Sequence, residues 1–211
     1  MKKVLLSSIL LFSFLAVIYA QKDPVAGKLL DQFSEKALSA PSVTMAFELT
    51  FTDAVEQTEE TITGTAIIRK GSYKLLLPEN SIWYNGEAIW TYSPEVNEVT
   101  ITVPDPGDDT FVSDPESLFT MYREGYKYKL VEEKGNGNLV DLYPEDLNAE
   151  FSRIRLLISK SGDLSEAEYK RKDGITIFVK VKSYDLKKEY PASFFLFNPG
   201  DFPDVEIIDM R

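Results

Sequence analysis

The chain of 211 residues contains no histidine and no cysteine. That removes the imidazole base and the thiolate nucleophile on which covalent catalysis most often rests. No Gly-x-Ser-x-Gly elbow occurs either, so a serine esterase would lack both its nucleophile turn and its base. Without thiols there is no disulfide and no zinc-thiolate site. The 34 aspartates and glutamates bring carboxylates near one another by chance, and no pair is singled out by spacing. One acidic stretch, Asp105-Pro106-Gly107-Asp108-Asp109, could hold calcium, but its carboxylates do not follow an EF-hand loop and it reads as a solvated loop. An enzyme, a cofactor and a metal are therefore not expected.

The chemistry that remains is that of apolar surface. Trp83, Trp90 and Tyr92 crowd one short stretch, where such rings serve either as core or as the wall of a ligand site. Asn85-Gly86 between them is the strongest short hairpin signal a sequence offers and predicts a type I′ turn pairing residues 81–84 with 87–92. Ser93-Pro94 and Asn97-Glu98 turn the chain again. Val99, Ile101 and Val103 then alternate with threonines as a third antiparallel strand with one buried face.

Lys2 and Lys3, the apolar run from Val4 to Ile18 and the small Ala20 before Gln21 read as a secretory signal peptide over residues 1–20. A retained anchor is the alternative, though the run is short of the ~20 residues a bilayer span needs. Cleavage leaves 21–211 as one domain, with no lipobox cysteine to acylate, and points to a soluble protein of the periplasm. Losing two lysines takes the formal charge from −11 to −13, which excludes non-specific nucleic-acid binding.

Asp23-Pro24 opens an amphipathic helix that ends near Ser39, with Leu29, Leu30, Phe33 and Ala37 on one face. It either covers a sheet or lends Leu29 and Phe33 to a cavity. Val43, Met45, Phe47, Leu49 and Phe51 alternate with smaller or polar residues and point one way, and strands follow at 61–70 and 72–77. Residues 114–122 predict a second, short helix capped by Ser113 or Asp114, its Leu118, Phe119, Met121 and Tyr122 needing cover on several sides. Further strands are expected at 126–132, 139–143, 153–159, 165–171 and 175–184, with 194–197 and 205–208 closing the chain. Eleven or twelve strands and two helices make a mostly β (α+β) domain, a curved antiparallel sheet or barrel.

The run from Tyr84 to Val99, Tyr84-Asn-Gly-Glu-Ala-Ile-Trp-Thr-Tyr-Ser-Pro-Glu-Val-Asn-Glu-Val, resembles a signature of the periplasmic outer-membrane lipoprotein carriers of LolA type. Gly64-x-Ala-Ile-Ile-Arg-Lys-Gly-Ser-Tyr and Phe195-Leu-Phe-Asn-Pro-Gly are similar to two further stretches of that family. The resemblance implies a single-domain incomplete antiparallel β-barrel around a hydrophobic cavity, closed by about two helices. It implies a monomeric carrier that ferries acylated lipoproteins from an inner-membrane ATP-driven releasing complex to an outer-membrane acceptor. On such a fold, alternation assigns Leu29, Phe33, Phe47, Leu49, Tyr73, Leu75, Trp83, Trp90, Leu118, Phe119 and Met121 to the acyl-chain cavity.

By the same matching, the family's lid-latching arginine falls on Lys70, with Arg69 one place earlier and Gly71 where proline is common. Lysine is a point charge without the planar fork of an arginine, so either Arg69 takes the role or the lid is held more loosely. Neighbouring strand residues face opposite ways, and the exchange is not free. Two other functions fit the same fold: a lipid- or lipoprotein-sensing regulator of envelope stress, and a glycolipid-binding protein. Inward-facing aliphatics favour acyl chains; exposed loop aromatics would favour sugars.

Overall fold

The computed structural model describes residues 22–105 and 111–211. The expected signal peptide and most of the acidic loop after Asp105 lie outside the described residues. Helix α1, Pro24–Ser39, begins where Asp23 Oδ1 accepts the N–H groups of Val25 at 2.8 Å and Ala26 at 3.4 Å, with proline in the first turn. It ends at Ala40, held extended ahead of Pro41. Ala26, Leu30, Phe33 and Ala37 recur at helical spacing and are all buried.

Twelve strands form one sheet: β1 Val43–Asp53, β2 Thr58–Arg69, β3 Ser72–Leu76, β4 Ser81–Tyr84, β5 Ile89–Ser93, β6 Glu98–Thr102, β7 Tyr126–Lys134, β8 Gly137–Pro144, β9 Phe151–Ser159, β10 Leu164–Arg171, β11 Ile175–Asp185 and β12 Glu206–Asp209. Their order is β12-β6-β5-β4-β3-β2-β1-β11-β10-β9-β8-β7. Two meanders, β1 to β6 and β7 to β11, are joined where β1 pairs with β11. The terminal strands β7 and β12 do not meet, so the barrel is incomplete. Register shifts at Ala46/Phe47, within β9–β10 and within β7–β8 bend the sheet as bulges do.

Register fixes which side chains share the inner face. Phe47 and Leu49 of β1 lie opposite Val181 and Val179, and Tyr73 and Leu75 of β3 lie opposite Ile68 and Ala66. The same face runs on through Ala167, Leu156 and Val140 to Leu130 at the β7 edge. Helix α1 and residues 111–123 cover it, and the buried side chains of all three make one hydrophobic cluster. Asp23 ties α1 to the edge: Oδ2 accepts Leu130 N–H at 3.0 Å, and its own N–H donates to the Tyr128 carbonyl at 3.1 Å.

Three local expectations need correction. The helix expected at 114–122 is a pair of 3₁₀ turns, Ser117–Phe119 and Met121–Arg123. Asp114 caps the turn as Asp23 caps α1, its Oδ1 accepting the N–H groups of Glu116 and Ser117, but its carbonyl is taken three residues on, by Ser117 N–H at 3.2 Å and Ser117 Oγ at 2.6 Å, where an α-helix would pair it with Leu118 N–H. The Ser117 contacts compete with an α-helical bond to that carbonyl, and a stretch this short gains too little from propagation to overcome them.

The turn at Asn85-Gly86 is not type I′. Only Gly86 has positive φ, at 100°, and Asn85 Oδ1 accepts the N–H groups of Glu87 and Ala88, both at 3.0 Å. The asparagine's own side chain thus builds an Asx turn within a four-residue loop, and β5 starts at Ile89 rather than at residue 87.

The chain end departs further. Residues 194–197 are not a strand; Ala192–Phe195 and Pro199–Asp201 are 3₁₀ turns, and β12 pairs with β6 in parallel. Leaving β11, the chain crosses the outer face of the first meander to reach its far edge, and a parallel pair follows from such a crossover. Phe197 and Phe202 stack at 5.0 Å and meet the Trp83 ring at 5.6 and 5.9 Å. Phe202 also packs on Tyr92 at 4.4 Å, and Asn97 Nδ2 donates to the Pro203 carbonyl at 3.2 Å.

Candidate functional site

The inner face is closed by contacts between rings. Phe119 packs on Phe33 of α1 at 5.4 Å, and Phe111 meets Phe47 of β1 edge-on at 5.0 Å. Phe111, Leu118 and Phe119 are all at most 1% exposed, so residues 111–123 fill the interior rather than merely roofing it. Beside them a cleft of about 380 Å³ remains, walled by Tyr73, Ile82, Tyr84, Ile89 and Val112, with Thr91, Thr102, Val103, Pro104, Asp105, Ser113 and Asp114 around it. That volume is at the low end of the roughly 300–1,000 Å³ of small-molecule sites.

Polar contacts hold the covering segment to its frame. Tyr73 Oη donates to the Ser113 carbonyl at 2.6 Å, and Gly71 N–H donates to Glu116 Oε2 at 2.8 Å. At its other end Tyr122 Oη donates to Asp31 Oδ1 at 2.6 Å, and Arg123 Nη2 donates to Ser34 Oγ at 2.8 Å. Burial raises the pKa of Glu116 and Asp114 adds to the rise, while the Gly71 N–H and the Lys70 charge oppose it.

Of the residues expected to line a cavity, Phe33, Phe47, Leu49, Tyr73, Leu75, Leu118, Phe119 and Met121 come together in the interior cluster, and Leu29 packs half-buried at its margin. Trp83 and Trp90 do not. They pair directly across β4 and β5 on the outer face, where Trp83 is covered by the crossing chain end and by the Lys74 ammonium 4.8 Å from its ring. The reason is register: Tyr73 lies opposite Tyr84 and Lys74 opposite Trp83, so Tyr73 and Trp83 cannot share a face.

The expected latch also changes. Arg69 faces outward, its guanidinium 4.6 Å from the Phe195 ring, and Lys70 is exposed and bears on Glu116 only as a nearby charge. The contacts at that corner are made instead by the Gly71 backbone and the Tyr73 hydroxyl. Glu116, Ile82, Tyr84 and Ile89 are not among the residues that the sequence assigns to the site. Tyr84 and Ile82 were within reach of the same alternation, read from the face opposite Lys74; nothing in the sequence pointed to Glu116.

Among the described residues no group of histidine, cysteine and carboxylate side chains could hold a metal ion, and no helix is long and apolar enough to cross a membrane. No curated protein matches this chain in sequence. Among solved structures, an uncharacterized conserved protein from Thermus thermophilus has a TM-score of 0.54 at 11% identity, over 88% of this chain and 99% of that one. A LolA superfamily protein from Nitrosomonas europaea gives a TM-score of 0.45 at 12% identity, over 82% and 97%. The sequence model of the family described as outer membrane lipoprotein carrier protein LolA matches residues 16–161, from before α1 to just past β9. That match spans well over half of the chain and takes in α1, the covering segment and both walls of the cleft, and the chain belongs to the LolA family of outer membrane lipoprotein carrier proteins.

Proposed function

We propose that this protein is a periplasmic carrier that holds the acyl chains of lipoproteins against its inner face and takes them from the inner to the outer membrane. The observation that carries the reading is the filling of the interior by Phe111, Leu118 and Phe119, side chains of a segment that has little regular structure of its own. Burying an acyl chain gains roughly 0.8 kcal/mol per methylene, so a sixteen-carbon chain gains on the order of 12 kcal/mol. A carrier must nevertheless release it. Side chains that leave the interior on loading and return on release make the net exchange small.

The frame supports this exchange. Of the polar contacts that pin the segment, the neutral one from Tyr73 is worth about 0.5–1.5 kcal/mol net and the three that involve a charged group about 1.5–3 each, so an entering chain can displace all of them. In this reading cargo comes from an ATP-driven complex in the inner membrane and leaves to an outer-membrane acceptor, and the protein works as a monomer without catalysis.

Native mass spectrometry of the protein purified from its own cell envelope tests the reading. A co-purifying acylated protein or lipopeptide, lost in Phe119→Glu while the fold persists, is the expected result. A bare protein that takes up no acylated peptide would overturn it.

A further inference from the structure

The cleft has apolar walls and, among the described residues, a rim that carries two carboxylates. Ile82, Ile89 and Val112 give it an apolar lining, and Tyr84, Thr91 and Thr102 add hydroxyls. Among the described lining residues the charged side chains are Asp105 and Asp114; neither lysine nor arginine is present. The Tyr84 phenol registers the field there, its pKa raised first by burial and then by the Asp114 and Glu116 carboxylates.

We infer that the cleft accepts acyl ligands whose polar end is uncharged or cationic and rejects those that end in a carboxylate or a phosphate. The inference rests on the carrier reading, since it concerns the ligand of the same interior. A chain lying along Ile82 and Ile89 brings its first polar group to the rim. There the hydroxyls can hydrogen-bond ester oxygens, while the carboxylates of exposed Asp105 and half-buried Asp114 repel an anion and attract an ammonium. A glyceride ester beside a free amine suits such a rim. Free fatty acids and anionic phospholipids, the abundant competitors for any acyl site in an envelope, do not. Discrimination of this kind is built from repulsion of the wrong ligand rather than tighter grip on the right one.

The test uses three ligands with the same twelve-carbon chain: monododecanoyl glycerol, dodecylammonium and dodecanoate. Each is titrated calorimetrically into the full mature chain near pH 8, where the acid is ionised and the amine charged. The expected result is binding of the glyceride and the amine, with dodecanoate at least about tenfold weaker, a gap that narrows at high salt. Replacing both rim charges, Asp105→Asn with Asp114→Asn, should bring dodecanoate to within about twofold of the glyceride. Asparagine at 114 keeps the oxygen that accepts the N–H groups of Glu116 and Ser117, so the covering segment retains its cap. Equal binding of the three ligands by the unmodified chain overturns the inference and leaves the carrier reading intact. So does a gap that survives in the double variant. Failure of all three to bind overturns the carrier reading, and the inference with it.

Discussion

Glu116 Oε2 accepts the backbone N–H of Gly71 at 2.8 Å, joining the segment over the inner face to the turn between β2 and β3. The acceptor is a carboxylate that burial makes costly to ionise, so its pKa is raised in the closed state. A raised carboxyl pKa means that closure binds a proton more tightly than the open state does. Its contribution is therefore full below the ordinary glutamate value of 4.5 and is lost as pH rises through the closed-state value. Amide exchange over residues 114–123, corrected for the intrinsic rate, should show faster opening near pH 8 than near pH 5. Glu116→Gln keeps an oxygen for Gly71 and should remove most of that dependence; a pH profile identical to the unmodified protein would refute the assignment.

Phe119 is fully buried against Phe33, and its deletion tests whether the covering segment is a separable unit. Truncating a buried phenylalanine costs about 3–5 kcal/mol. If the segment opens on its own, Phe119→Ala should speed amide exchange across 111–123 by about a hundredfold or more while β1 and β11 keep their protection. A uniform loss of protection would show instead that segment and sheet unfold together.

The two faces of β4 give opposite predictions for adjacent residues. Trp83 is 4% exposed beneath Phe197 and Phe202, whereas Tyr84 lines the cleft. Trp83→Ala should lower unfolding free energy by about 3–5 kcal/mol and loosen β12 from β6, with acyl-ligand affinity unchanged. Tyr84→Ala should cost less stability, since the residue is half-buried, and should alter ligand affinity. Denaturant melts and ligand titrations on both variants check the pair. A Trp83 variant that loses ligand binding at full stability would place the site on the wrong face.

Alternation and turn residues were enough to read α1 and most of the twelve strands from the sequence, because Asp23-Pro24, Gly162, Gly174 and the β1 pattern act locally. What could not be read depended on contacts distant in sequence. The chain end looks like another hairpin strand until its aromatic residues are placed against Trp83 and Tyr92, far earlier in the chain. Alternation along one strand separates two faces without saying which is inner. For β4 the answer lies in Lys74 opposite Trp83, a pairing set by the β3–β4 loop. Residues 114–122 carry a helical pattern, yet Ser117 turns both its N–H and its hydroxyl to the Asp114 carbonyl three residues back.

Asp141 tests the half of the sheet away from the cleft. Its carboxylate, 2% exposed, takes two hydrogen bonds from Arg155, Nε to Oδ1 at 2.6 Å and Nη2 to Oδ2 at 2.8 Å, and a third from Tyr143 Oη at 2.9 Å. Burial alone would raise its pKa, but the bonds from Arg155 and Tyr143 outweigh that and hold the value below the usual 3.8. A depressed carboxyl pKa contributes stability above 3.8 that is lost as pH falls through the folded-state value. Asp141→Asn leaves Arg155 without its counter-charge, and breaking such a pair costs roughly 3–5 kcal/mol when both partners are fully buried. Arg155 keeps 29% of its side-chain surface in water, so the loss near pH 7 should be at the lower end, about 3 kcal/mol. Urea unfolding from pH 7 down to pH 3 should show the two proteins converging as the native carboxylate protonates. A difference constant across that range would mean that Asp141 acts through packing rather than charge.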